Sequence, residues 1–335
     1  MKHLLTILLG ITLLSCTDSA PIVEEPIPVG SSLPAAQKVR WSEVDTIDIA
    51  ALNVDLVKGK PTMDLGVYFP SNFDPDFQKV SLDKLMISIR AAKEIYEPTG
   101  VQLNVLWIKT GAIDPKYLSI QANEVPGIPL TEYTNMYEHS FRHPAQLTQG
   151  TKDALESIIE PREDSDRTLY VVVLQDVFYP FLTVAEGRNW TMNTVRTGGL
   201  SFPTYSYVDQ IPNDYRGIIT ITNLTRPDRL RGTIAHEIGH KVMNVSHEYK
   251  DISPQHEVYA DGGLMLYGDG EDIPSGMEGR WHLERLHLSP FLYTLQADGT
   301  KKWNPDYQEG GHYYDPIYGD KVIYFKGVAP IDEDW

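Results

Sequence analysis

The stretch from His236 to His247, His-Glu-Ile-Gly-His-Lys-Val-Met-Asn-Val-Ser-His, constrains this chain more than any other. Two histidines four residues apart share one face of a helix, with Cβ atoms about 5–6 Å apart, close enough to grip a single ion. Glu237 follows the first histidine by one residue and leaves that row, so its carboxylate is placed for a metal-bound water instead of the metal. An apolar row at Leu230, Ile234, Ile238 and Val242 has the period of a buried helix and carries the pair.

A catalytic zinc takes three protein ligands, at about 2.0–2.1 Å for imidazole nitrogen, and keeps one further place for water. His247 is the nearest third ligand in sequence, but a helix rising about 1.5 Å per residue would carry it roughly 10 Å beyond His240. The chain must therefore turn back, and Asn244 is the predicted turning point, because Asn tolerates the left-handed conformation that ends helices. Glu257 and Asp261, 17 and 21 residues after His240, are rival third ligands, and His256 is another. The acidic pair lies in a Gly-rich, loop-like stretch that a solvated surface also explains. These residues point to a zinc-dependent hydrolase.

Downstream comes Gly263-Leu264-Met265-Leu266-Tyr267-Gly268. With the HExxH helix and a displaced third histidine, this resembles the metzincin clan of zinc endopeptidases, whose pattern is HExxHxxGxxH followed by a methionine turn. The chain departs from that pattern: Met243 stands where the glycine is expected, and Asn244 and His247 each come one residue late. Asn244-Val245-Ser246-His247 still keeps the interval of Gly-x-x-His.

The resemblance implies an α+β fold: a metzincin-like catalytic domain with a twisted mixed sheet, an active-site helix, and one zinc in a cleft above a smaller C-terminal subdomain. It implies His236, His240 and His247 as ligands, Glu237 as general base, and Met265 as an apolar floor beneath the histidines. Tyr267 would stabilise the oxyanion of the reaction. The segment around Gly199, Leu200 and Ser201 is the expected edge strand, where unpaired main-chain groups take up an extended substrate; Pro203 suits an edge. A noncatalytic peptide- or glycan-binding protein that keeps zinc for stability remains open, as does a zinc hydrolase acting on a nonpeptide amide.

The rest of the chain sets the context. Residues 1–15 carry an early lysine and an apolar run from Leu4 to Leu14, which reads as a signal peptide. Leu13-Leu14-Ser15-Cys16 resembles a bacterial lipobox, so Cys16, the single cysteine, is expected to become a lipid-modified first residue. The expectation is an exported bacterial lipoprotein, anchored at the outer membrane or cell surface in preference to the inner membrane. No disulfide can form within such a chain, and no second cysteine is present to hold a zinc latent.

The net charge of −17 argues against nucleic acid and anionic lipid surfaces as partners. A peptide or protein substrate and a monomeric chain are expected instead. Some of the scattered acids could ligate calcium, but no ordered Asp/Asn/Gly loop is present.

Residues 16–38 are rich in proline and small residues and read as a tether, leaving 39–335 as one catalytic domain with subdomains 39–244 and 245–335. Strands are predicted at Leu65–Phe69, Val101–Ile108, Leu169–Leu174, Gly198–Tyr207 and Gly217–Thr222. Helices are predicted at Ser81–Tyr96, Lys152–Glu160 and Trp281–Ser289. His282, His287 and His312 read as packing or surface residues, and the tail after Gln296 as strands or loops.

Overall fold

A computed structural model describes residues 37–73, 80–124, 147–185, 189–201, 213–222, 230–245, 263–266, 272–275 and 279–306. All of them fall within one compact unit, Ala36–Trp335. The architecture is α+β with a mixed sheet and few helices.

The centre is a continuous apolar strand, β5 (Leu169–Leu174), with all six residues buried. Leu169, Val171 and Val173 face one core while Tyr170, Val172 and Leu174 face a second. Burial of both faces is why the run shows no polar alternation. Parallel neighbours flank it: β2 (Pro61–Pro70) on one side, which in turn pairs in parallel with β3 (Gln102–Gly111), and β9 (Ile218–Thr222) on the other.

The β2–β3 register slips by one residue between Leu65 and Gly66. There the Trp107 ring lies against Gly66, where an added Cβ would fall 2.3 Å from the ring. Antiparallel edges finish the sheet: the short β1 (Ser42–Glu43) beyond β3, and β8 (Gly199–Leu200) beyond β9. Near the start of β2 the pair β10 (Tyr293–Leu295) and β11 (Lys301–Trp303) adds on.

Helices cover the two faces. After the short α1 (Ile49–Leu52), α2 (Leu82–Tyr96) starts at Ser81, whose hydroxyl accepts from the Lys84 N–H at 3.3 Å, and it buries Leu85, Ile89 and Ala92 in the first core. The second core receives Ala154, Leu155 and Ile158 of α3 (Gln149–Ile158), capped by Thr148. This helix begins three residues before the predicted Lys152, because the cap and first turn are polar and leave no apolar signature. Back on the α2 side lies α4 (Leu230–Val242), with Ile234, Ile238 and Val242 buried. The last helix, α5 (Arg280–His287), stops short of Ser289.

The longest elements without a counterpart among the predicted ones form a hairpin. Leaving β5 after one residue, the chain forms a long hairpin of β6 (Asp176–Ala185) and β7 (Asn189–Thr197), joined at its base by β4 (Ser119–Gln121). Of the predicted strand 198–207, residues 199–200 form β8, and 202–207 lie outside the described residues.

Candidate metal centre

Helix α4 carries His236, Glu237 and His240, and two contacts with α2 fix it on the sheet. The buried Tyr96 hydroxyl donates to the Ala235 carbonyl at 2.8 Å, and the Ser88 hydroxyl donates to the Arg231 carbonyl at 3.4 Å. The one-turn spacing brings the two imidazoles together, with ring centroids 4.8 Å apart and planes 88° to each other.

Each ring is held from behind. His236 Nδ1 lies 2.5 Å from the Leu264 carbonyl, and His240 Nδ1 lies 2.8 Å from the Val245 carbonyl. A carbonyl only accepts, so both Nδ1 atoms carry a proton, and in a neutral ring of this tautomer the lone pair lies on Nε2. Orientation of imidazole ligands by main-chain carbonyls is the usual support of a metal site. Burial lowers the His236 pKa, against a smaller rise from its bond to Leu264, and so favours the neutral ring a metal needs.

The carbonyl behind His240 depends on a turn. Helical bonding persists as far as Met243 N–H to Gly239 O at 2.9 Å; then Asn244 adopts φ 49°, the left-handed turn expected of it. Val245 is thereby buried, with its carbonyl directed back at the helix. The second carbonyl belongs to the segment that also holds Met265. An added Cβ on Gly239 would fall 2.3 Å from Met265 Sδ and 2.9 Å from Met243 Cε, so the fully buried Met265 packs on the helix at Gly239. Glycine at 239 is what permits the approach.

Glu237 faces the sheet edge. An added Cβ on Gly199 would fall 2.5 Å from Glu237 Oε1, so β8 and the carboxylate are in van der Waals contact. The side chain is buried, and Oε2 has no hydrogen-bond partner among the described residues. Burial pushes its pKa up to about 8, with the Lys241 ammonium pulling the other way. An orphaned buried carboxylate oxygen is costly unless something occupies the space beside it. Two imidazoles one helical turn apart are the donor type that a cation such as zinc takes, and Glu237 stands beside them as a carboxylate outside that pair.

Lys241 was not singled out by sequence reasoning. It sits one turn after Glu237 and is fully buried, and burial drives its pKa well below the ordinary value, with Glu237 opposing and Arg216 reinforcing. A lysine one turn after a carboxylate on a helix that also carries the apolar row Ile234, Ile238 and Val242 is the signal that could have found it.

The structure brings together His236, Glu237, His240, Met265 and the Gly199–Leu200 edge; Ser201, next in the chain, is buried. His247, Tyr267, the rivals His256, Glu257 and Asp261, and Cys16 lie outside the described residues, as does His312. Among the described residues no group of three His, Cys, Asp or Glu side chains gathers to hold a metal. His282 is buried in the packing, and His287 Nε2 lies 3.0 Å from the Thr99 carbonyl. No protein-family profile matches this chain, and no curated protein matches it.

Proposed function

We propose that the protein is a zinc-dependent endopeptidase of metzincin type, exported and held at a membrane through a lipid on Cys16. The observation that carries this reading is the pairing of two histidines, each held at Nδ1 by a main-chain carbonyl, with a buried carboxylate that touches an edge strand. The sheet is compatible with it: the resemblance implies a mixed sheet with an active-site helix, and here parallel β3-β2-β5-β9 is closed by antiparallel β8 with the histidine helix on one face. The packing of Met265 on the same helix, at Gly239, supports it as well.

In this reading His236 and His240 hold the ion, with His247 completing the set after the Asn244 turn. Zinc, when bound, supplies a Lewis acid and a water acidic enough to react near neutral pH. The main chain of β8 aligns an extended substrate beside α4. Glu237 takes the proton of the attacking water and hands it to the leaving amine, a role suited to a carboxylate whose basicity burial has raised. Tyr267 donates to the oxyanion as it develops. Met265 and the two carbonyl acceptors keep the imidazoles from reorienting during the cycle.

Purified protein incubated with a proteome-derived peptide mixture should generate new termini, lose that activity to a chelator and regain it with zinc. Binding of zinc without any new termini would point to a noncatalytic role or to a nonpeptide amide substrate.

A further inference from the structure

The edge beside Glu237 is longer than β8. One flank of the chain from Asn189 to Leu200 is filled without a break. Along β7 the partner is β6, in register from Ala185↔Asn189 to Val177↔Thr197. At the joint the partner is Thr222, the last residue of β9: its N–H donates to the Gly198 carbonyl at 2.8 Å, and its hydroxyl donates to the Thr197 carbonyl. Along β8 the partner is the rest of β9, with Gly199↔Ile221 and Leu200↔Thr220. Because Leu174 of β5 pairs with Thr222, β6 rises directly over the end of β9, and both partners lie on the same side of the β7–β8 chain.

The opposite flank of β7 and β8 has no strand neighbour among the described residues. At about 3.4 Å per residue, the nine residues of β7 extend that open edge by roughly 30 Å beyond the candidate site. Long edges are normally blunted by proline, lysine or bulges. The hairpin's other strand, β6, has Pro180, but β7 (Asn-Trp-Thr-Met-Asn-Thr-Val-Arg-Thr) has neither proline nor lysine. Its one charge, Arg196, is paired across the hairpin with Asp176.

Orientation follows from the β4 side. Phe178 accepts from the Ala122 N–H at 2.7 Å on the β4 side, and Pro180, two residues on, directs its main chain the same way, so Pro180 and Thr194, which faces it, form a non-hydrogen-bonded pair. Members of such a pair direct their N–H and C=O away from each other, so those of the exposed Thr194 point to the open flank.

We propose that β7 is an extended substrate-binding edge continuous with β8, and that the preferred substrates are long, unfolded polypeptide segments with many residues paired on one side of the cleaved bond. The occupant rests on the endopeptidase reading above; the continuity of the edge does not. Added antiparallel, the substrate places its residues C-terminal to the cleaved bond along β7; added parallel, it places the N-terminal ones there.

The test uses synthetic peptides around one cleavage site, lengthened residue by residue on either side, with turnover by the intact protein and binding to it both measured. Lengthening should raise kcat/KM in steps on one side only. Backbone N-methylation of the added residues should reduce it by about threefold to tenfold at alternate positions, the equivalent of one net hydrogen bond each. Thr194→Pro should abolish the gain from length, so that long and short peptides are cleaved with the same kcat/KM. Should that variant misfold, the N-methyl series on the unaltered protein gives the same reading. Length-independent cleavage, or equal gains on both sides, overturns the extended edge and leaves the hydrolase standing. If nothing is cleaved, one-sided length steps in Kd retain the edge and reject the hydrolase, whereas a flat Kd rejects the edge too.

Discussion

Asp64 and Glu237 are both buried carboxylates, and their surroundings differ in kind. Asp64, on β2, accepts from Asn104 at 2.7 Å, from the Tyr293 hydroxyl at 2.8 Å and from Lys301 at 2.6 Å. Its charge is fully answered, and the three donors tie β3, β10 and β11 to the central sheet. Glu237, on α4, meets an edge glycine and has an oxygen with no partner among the described residues. A satisfied buried carboxylate holds a fold together; an orphaned one is strain that a bound group relieves, and it marks where chemistry is to be sought. Asp64 belongs to the first kind and Glu237 to the second.

The contrast is sharpest when the histidines beside Glu237 are removed. His240→Ala should abolish turnover and weaken zinc binding by more than the roughly 10- to 100-fold typical of losing an outer-shell partner. Metal analysis after dialysis against a weak chelator checks this, and zinc retention at the wild-type level would break the comparison. Asp64→Ala should do the opposite. Stability should fall by about 3 kcal/mol, since Lys301 and Tyr293 lose their buried partner, while activity per folded molecule should hold, as urea unfolding and active-fraction assays would show.

Gly199→Ala is a finer probe, because its Cβ would collide with the Glu237 carboxylate. Displacing that group by about 1 Å should lower kcat/KM by about 10- to 100-fold and leave the midpoint of unfolding nearly unchanged. Unaltered kinetics would show that β8 and Glu237 do not share a site.

The smallest effect is on pH. At Asp164, burial raises the pKa but is outweighed by the hydrogen bond and charge of Lys301, so the net shift is downward. Burial lowers the Lys301 pKa and is outweighed by Asp164 and Asp64, so the net shift is upward. Asp164 therefore adds stability above its unfolded pKa that is lost as pH falls through its lower folded value. Lys301 adds stability below its unfolded pKa that is lost as pH rises through its higher folded value. Lys301→Met should flatten both limbs of a plot of Tm against pH, and a curve that keeps its shape would remove this network from the account.

What could be read in advance depended on whether the signal was local. Leu169–Leu174 was legible to the residue because a strand buried on both faces leaves an unbroken apolar run. Helix α2 was legible through Ser81 and its apolar stripe, and the Asn244 turn through the conformational tolerance of Asn. The β6–β7 hairpin was not: its strands mix Thr, Asn and a proline with apolar residues, and among the described residues β4 alone adds a strand to it, at the base, so the pattern is blurred. Around the histidines, the residue types were legible and their supports were not. The carbonyls of Leu264 and Val245 carry no side-chain signature, and Gly239 and Gly199 gain meaning only from what packs on them.

The most direct test of the central claim is the count of new peptide termini produced by Glu237→Ala beside the wild type, with zinc content measured in both. The account predicts close to one zinc per chain in each protein, and a fall in cleavage of about 10²- to 10⁴-fold in the variant. Undiminished cleavage by the zinc-loaded variant would contradict it.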